Sequence, residues 1–166
     1  NIYRLPLFYR EQGIDEAILN SLGLAEKHKV NGSKSLREWT EKNIAKPSGE
    51  VTIGIAGKYT GTSDTYISIV KALEHSGVAA KTKVNVKWIE ATQIEQGKLK
   101  AEDEMRGIDG IIIPGGFGTR GVEGKILCIN YARTHGMPFL GICYGFQMAA
   151  IEYARNVCGI KNAGTE

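Results

Sequence analysis

The stretch Gly141-Ile142-Cys143-Tyr144-Gly145-Phe146-Gln147 carries the chemistry most legible in this chain. It follows the apolar run Met137-Pro138-Phe139-Leu140 and precedes a long apolar-periodic segment, which predicts a strand, a very tight turn and a helix. A turn that ends a strand and at once starts a helix pushes its apical residue out of the sheet. A glycine on either side removes the Cβ atoms that would collide there. Cys143 occupies that apex, facing the unpaired N–H groups and partial positive charge of the helix start, which favour the thiolate. The next backbone N–H, that of Tyr144, would point at an oxyanion formed on a carbonyl that Cys143 attacked. This is the arrangement for acyl transfer through a thioester. A structural thiol at the end of a core strand would need neither glycine, and that plainer role is assigned to Cys128 and Cys158, expected to be buried.

A second candidate is Pro114-Gly115-Gly116-Phe117-Gly118-Thr119-Arg120-Gly121, which follows a predicted strand. Gly116 to Gly121 matches the dinucleotide pattern G-x-G-x-x-G, but the end of the next strand is Gly141-Ile142-Cys143, where an acidic residue should hold a ribose. Gly124-Lys125 is not a P-loop, because Ile126 follows the lysine and Thr119 stands in place of the first glycine. What remains is a loop with exposed N–H groups, one strand away from Cys143. An N–H of Gly115 or Gly116 would serve as a second oxyanion donor. An ordinary strand-to-helix connection fits the pattern equally well.

The elements that must position these residues are alternating strands and helices. Val51 to Ala56 is a short β-branched run, followed by a Gly-Lys-Tyr-Thr-Gly loop and a helix with Ile67, Val70 and Leu73 on one face, capped by Ser63 or Asp64 and ended by Gly77. Val84, Val86 and Trp88 alternate as a second strand, and Thr92 caps a short helical piece through Leu99. Ile108 to Ile113 reads as a strand buried on both faces, Val122 to Arg133 as a helix, and Phe139 to Ile142 as the fourth strand. Repeated right-handed strand-helix units predict an α/β fold, an open, mostly parallel sheet with helices on both faces and the site beyond the strands' carboxyl ends. Residues 1–49 read differently: Tyr3, Leu5, Leu7 and Phe8 lead into one short helix carrying Ile14, Ala17, Ile18, Leu22 and Leu24, and a second helical piece runs from Ser35 to Ile44 before a Lys-Pro-Ser-Gly linker. We expect residues 1–49 to be the tail of a preceding domain with its linker, and 50–166 to belong to the domain that carries Cys143; an N-terminal helical decoration of one domain fits the pattern nearly as well.

Of 166 residues, 21 are basic and 18 acidic, a net charge of +3 with no long basic run, so no electrostatic footprint for nucleic acid is expected. No apolar run approaches the roughly 18 residues of a membrane span. Three cysteines at unrelated spacings argue for a reducing compartment, hence a cytoplasmic protein, rather than a disulfide framework. No metal site is expected. Asn1 and the polar segment ending at Glu166 suggest a chain cut from something longer, a sheet incomplete at its C-terminus.

The Gly-Ile-Cys-Tyr-Gly-Phe-Gln motif resembles the nucleophile motif of the class I glutamine amidotransferases, which have a flavodoxin-like fold. The run Pro114 to Lys125 narrows the resemblance to the CTP synthase family. So do Ile2-Tyr3-Arg4-Leu5-Pro6-Leu7 with Glu11-Gln12-Gly13, Trp39, Gly57-Lys58-Tyr59, Lys71 to Ser76, Tyr153 to Val157 and Asn162 to Glu166, in that order. Residues 1–49 would then be the end of a synthetase domain and its linker, and 50–166 the N-terminal part of a glutamine amidotransferase domain.

The resemblance implies hydrolysis of L-glutamine at Cys143, with the N–H groups of Tyr144 and Gly115 as oxyanion donors and Gly116, Gln147 and Glu166 as contacts to the substrate. It implies an allosteric GTP site at Phe117 and Arg120. It further implies ATP, Mg²⁺ and UTP at a synthetase domain, none of them held by this chain, and a homotetramer that in many organisms forms filaments. Tyr144 and Phe146 stand where Leu and Met are usual, which predicts altered packing around unaltered backbone chemistry. The family's triad His and Glu would lie beyond Glu166, and His28, His75 and His135 are expected to be exposed or to pack, so the chain by itself is not expected to be a competent glutaminase. Two alternatives are a class I glutaminase or cysteine hydrolase serving another acceptor, and a truncated module that only assembles.

Overall fold

The computed structural model describes residues 2–25, 33–58 and 63–165. The chain divides into two compact units, Asn1–Gly49 with His75–Thr82, and Glu50–Glu74 with Lys83–Glu166.

The first unit contains helices α1 (Leu5–Glu11), α2 (Ile14–Ser21) and α3 (Ser33–Ile44). Helix α1 was not expected. Pro6 sits in its first turn, where a missing N–H breaks no hydrogen bond, so the residue that ends helices elsewhere starts one here. Tyr3 organises the unit: its ring stands edge-on to Trp39 at 5.5 Å and to His75 at 5.9 Å, and its hydroxyl lies 3.1 Å from His75 Nε2. The buried Thr40 hydroxyl donates to the Tyr3 carbonyl at 3.2 Å. His28 lies outside the described residues.

In the second unit, β1 (Gly49–Gly57), β2 (Thr82–Glu90), β3 (Gly110–Ile113) and β4 (Phe139–Gly141) form one open sheet in the order β2-β1-β3-β4. Strands β1 and β3 pair in parallel with Ile55 opposite Ile112, and β3 and β4 in parallel with Ile113 opposite Gly141. The expected open parallel α/β sheet is therefore present, and its inner strand β3 is buried at all four positions, as an apolar run between two neighbours requires. Strand β4 pairs only with β3 among the described residues, and its Phe139 and Leu140 are exposed.

Helices α4 (Ile67–Ala79), α5 (Ala91–Glu95), α6 (Ala101–Met105), α7 (Val122–Thr134) and α8 (Tyr144–Asn156) complete the chain. Helix α7 lies against α5, α6 and α8, and Ile126, Cys128, Ile129 and Ala132 meet Met105, Ile113, Met148 and Ile151 in one core. Backbones approach closely there: a Cβ at Gly124 would stand 1.9 Å from the Ala91 carbonyl oxygen. Helix α8 is tied to α7 by Glu152, 1% exposed, whose carboxylate accepts from Arg133, Asn130 and Asn156 at 2.8 to 3.1 Å.

Several expectations are corrected. Helix α4 does not end at Gly77 but continues past that buried residue, and the chain reverses at Lys81, whose φ is 53°. Thr92 is not a cap: the Glu90 carboxylate accepts the Thr92 N–H, and the Thr92 hydroxyl is buried with no hydrogen-bond partner. The piece expected through Leu99 stops at Glu95, and α6 starts only at Ala101. Cys158 is exposed rather than buried, because α8 has ended before it, whereas Cys128 is fully buried as expected and its thiol is pushed up to about 12 by burial and by the charge of Glu104. Capping of α4 by Ser63 or Asp64 rests on side chains outside the described residues.

Two measurements check this packing. Gly124→Ala should lower the urea-unfolding midpoint by the equivalent of about 3 kcal/mol, because neither backbone can yield, while Gly49→Ala, where a Cβ meets nothing within 4 Å, should be close to neutral. Burial would raise the Glu152 pKa, but its hydrogen bonds to Arg133, Asn130 and Asn156 prevail and hold it below 4.5. A depressed carboxylate stabilises the fold above its unfolded pKa and loses that contribution as pH falls through its folded one. Unfolding melts between pH 7 and 3 should therefore show an acid-side loss that Glu152→Gln diminishes.

Candidate active site

The site is built where β3 and β4 end side by side. Ile113 and Gly141 are paired, so the residues that follow them, Pro114-Gly115-Gly116 and Ile142-Cys143-Tyr144, leave the sheet at the same edge. Cys143 has φ 53° and ψ −111°, a backbone conformation costly for a residue with a side chain. Its neighbours enforce it. A Cβ at Gly145 would lie 1.9 Å from the Ile113 carbonyl oxygen, and one at Gly141 would lie 2.7 Å from the Phe146 nitrogen, so both flanking glycines are sterically required. The Cys143 carbonyl accepts from the N–H groups of Phe146 at 3.1 Å and Gln147 at 3.3 Å, which starts α8 directly beneath the thiol.

The thiol is exposed, and a Cβ built on Gly115 would stand 3.9 Å from its Sγ. The N–H groups of Tyr144 and Gly115 have no hydrogen-bond acceptor among the described residues. Two unpaired donors thus belong to the residue after the cysteine and to the residue packed against it, which is the pairing an oxyanion on a Cys143-bound carbonyl would require.

Three charged side chains hold the glycine loop. Lys58, at the end of β1, is 8% exposed and donates through Nζ to the carbonyls of Phe117 at 2.5 Å and Gly118 at 3.2 Å. Its pKa is lowered, first by burial and then by Arg120, with Glu95 opposing. Glu95, on α5, accepts the N–H groups of Gly121 at 2.7 Å and Glu123 at 3.1 Å, so an acidic side chain binds the positive end of α7. Lys125, on α7, is 0% exposed and donates to the Pro114 carbonyl at 3.3 Å. A cleft of about 340 Å³ opens beside this loop, lined by Lys58, Thr65, Tyr66, Ile69, Pro114, Gly115 and Gly116.

The structure therefore brings together Cys143, Tyr144, Gly115 and Gly116, with Gln147 half-buried in the first turn of α8. Phe117 is 69% exposed at the crest of the loop, its ring 5.2 Å from that of Tyr144, and Arg120 is exposed three residues on. Glu166 lies outside the described residues. No described side chain hydrogen-bonds the Cys143 thiol: His75 is paired with Tyr3, and His135, at the end of α7, stacks on Tyr131 and bonds to Tyr131 and Thr134.

Sequence reasoning missed Glu95 and read Lys58 and Lys125 only as parts of motifs. Lys125 had left a signal, since it falls on the same helical stripe as Cys128, Ile129 and Ala132, where a charge has no solvent. Arg155 was likewise read only as part of a motif: it pairs with Glu123 through two contacts of 2.9 and 3.0 Å and donates to the Ala163 carbonyl at 2.6 Å, anchoring the segment after α8.

Comparison with known proteins agrees with this geometry. The chain is 46% identical to the CTP synthase of Deinococcus radiodurans over 168 residues, and 46% identical to those of Bacillus subtilis over 165 and Pyrococcus abyssi over 164. These alignments cover 97 to 99% of the chain but only 29 to 30% of the relatives, so the chain spans about a third of their length. Among solved structures it is similar to the Trypanosoma brucei CTPS glutaminase domain with bound acivicin, with a TM-score of 0.61 and 37% identity over 70% of this chain and 45% of that one. The model of the family "Glutamine amidotransferase class-I" matches residues 62–166, a span that holds the glycine loop, the elbow and the segment after it. With a match over most of its length, and with the strand-end cysteine held between two indispensable glycines, this chain belongs to the class I glutamine amidotransferases.

Proposed function

We propose that this chain carries the nucleophile half of a glutaminase that supplies ammonia for the ATP-dependent amination of UTP to CTP. The observation that carries the reading is the exposed Cys143 thiol beside two backbone N–H groups, those of Tyr144 and Gly115, that no described residue uses. The Cys143 thiolate attacks the side-chain amide carbon of L-glutamine. The carbonyl oxygen takes the negative charge of the tetrahedral intermediate and receives the two N–H groups. Collapse breaks the C–N bond, the nitrogen leaves as ammonia on gaining a proton, and a thioester remains on Cys143. Water then adds to the thioester carbon, the same donors hold the second oxyanion, and glutamate departs as the thiol regains its proton.

The proton carriers in this reading are a His and a Glu that follow Glu166 in the family. Gly116 and Gln147 contact the bound amino acid, and the Glu166 carboxylate meets its ammonium group. Phe117 and Arg120, on the outer face of the loop, suit a ligand that presents a flat base and phosphates, and we assign them to the activator GTP. ATP, Mg²⁺ and UTP belong to a synthetase domain of which residues 1–49 are the tail and linker, with residues 50–166 opening the amidotransferase domain. A homotetramer, able to form filaments, completes the proposed assembly. No helix among the described residues is long and apolar enough to cross a membrane, and we place the enzyme in the cytoplasm.

Incubating the full protein with a glutamine-mimicking electrophile, followed by peptide mapping, should give modification at Cys143 that free glutamine prevents. Equal labelling of Cys158, which is also exposed, would sink the assignment. Cys143→Ala should abolish glutamine-dependent CTP formation, a loss of at least about 10³-fold, while CTP formation from added ammonium salt persists. Loss of both activities together would point to a structural role for the thiol.

A further inference from the structure

We propose that Lys125 is a positioning residue for the oxyanion hole: its buried ammonium holds the Pro114 carbonyl and thereby sets the direction of the Gly115 N–H. The inference rests on the glutaminase reading of Cys143 given above.

The Pro114 carbonyl and the Gly115 N–H belong to one planar trans peptide unit, in which C=O and N–H point in opposite directions. Lys125 Nζ donates to the Pro114 oxygen at 3.3 Å. With the oxygen drawn to Lys125, the N–H must point away from it, and that N–H has no acceptor among the described residues. Gly115 itself lies against the nucleophile, its Cβ position 3.4 Å from Cys143 Cβ and 3.9 Å from Sγ. Rotation of this single peptide unit would exchange the two groups, presenting a carbonyl oxygen where an oxyanion must form. Local sterics place little in the way. Proline fixes φ at 114 but leaves ψ free to move between two wells, and glycine at 115 accepts either partner conformation. The choice therefore falls to whatever binds the carbonyl.

Lys125 is an expensive way to fill space. It is 0% exposed, and its one described hydrogen-bond acceptor is the Pro114 oxygen, with the Tyr144 ring 5.6 Å from Nζ. An ammonium with three donors and a single carbonyl is poorly compensated for leaving water. Burial and the neighbouring Lys58 accordingly lower its pKa to about 8. A lysine with a depressed folded pKa weakens the fold below that pKa, and the penalty is relieved as pH rises from about 8 towards 10.5. A methionine of similar length would pack there without that penalty, so removing the charge should not unfold the protein.

The test is Lys125→Met in the full protein, with four readouts: kcat and KM for glutamine hydrolysis, CTP formation from ammonium salt, and the thermal midpoint. We expect kcat to fall tenfold or more with KM within about twofold, since the donor acts on the transition state rather than on bound glutamine. Ammonia-dependent activity should be unchanged and the thermal midpoint unchanged or raised. An unaltered kcat would overturn the proposal. So would a lowered midpoint accompanied by parallel loss of both activities, which is the signature of a purely structural lysine. If Cys143→Ala, assayed alongside, hydrolyses glutamine as well as the wild type, the glutaminase reading itself fails and the Lys125 role falls with it.

Discussion

Everything at this site depends on one backbone crossing, the first turn of α8 over the end of β3. Gly145 lies so close to the Ile113 carbonyl that no side chain fits between them, and Gly141 stands in the same relation to the Phe146 nitrogen. That closeness forces Cys143 into a conformation costing about 1–3 kcal/mol, and the cost must be offset elsewhere. The anchoring of α8 does this: Met148 and Ile151 enter the core, and the Glu152 carboxylate is gripped by Arg133 and Asn130 of the neighbouring helix. The exposed thiol is the outward consequence of a tightly packed interior.

The glycine loop presents the opposite problem. Backbone amides free to meet a substrate come at the cost of a segment with few conformational limits, and three charged side chains from three elements supply those limits. Lys58 fastens the crest, Glu95 the entry to α7, and Lys125 the peptide unit beside the nucleophile. Each binds main chain rather than side chain. The loop's own side chains, Phe117 and Arg120, are thereby left exposed. In our reading this division of labour lets one loop serve the oxyanion on its inner side and an activator on its outer side.

Local rules made much of this readable in advance. The β-branched and apolar runs of β1 and β3 and the paired glycines around Cys143 depend on residues close in sequence, so their pattern alone dictated strands and elbow, and through them the class of fold. Contacts between distant residues decided the rest. Whether Gly77 ends a helix or lies buried inside one, whether Thr92 or Glu90 caps α5, and whether Cys158 is covered all turn on what packs against them, and no window of sequence contains that. The same holds for the clamps: Glu95 reaches Gly121 across 26 residues, and Lys58 reaches Phe117 across 59. A charged side chain on its own is taken for a solvated surface group. The helical stripe of Lys125 hinted that it is buried, but only the folded chain sets its ammonium against the Pro114 carbonyl and so makes that lysine a part of the site.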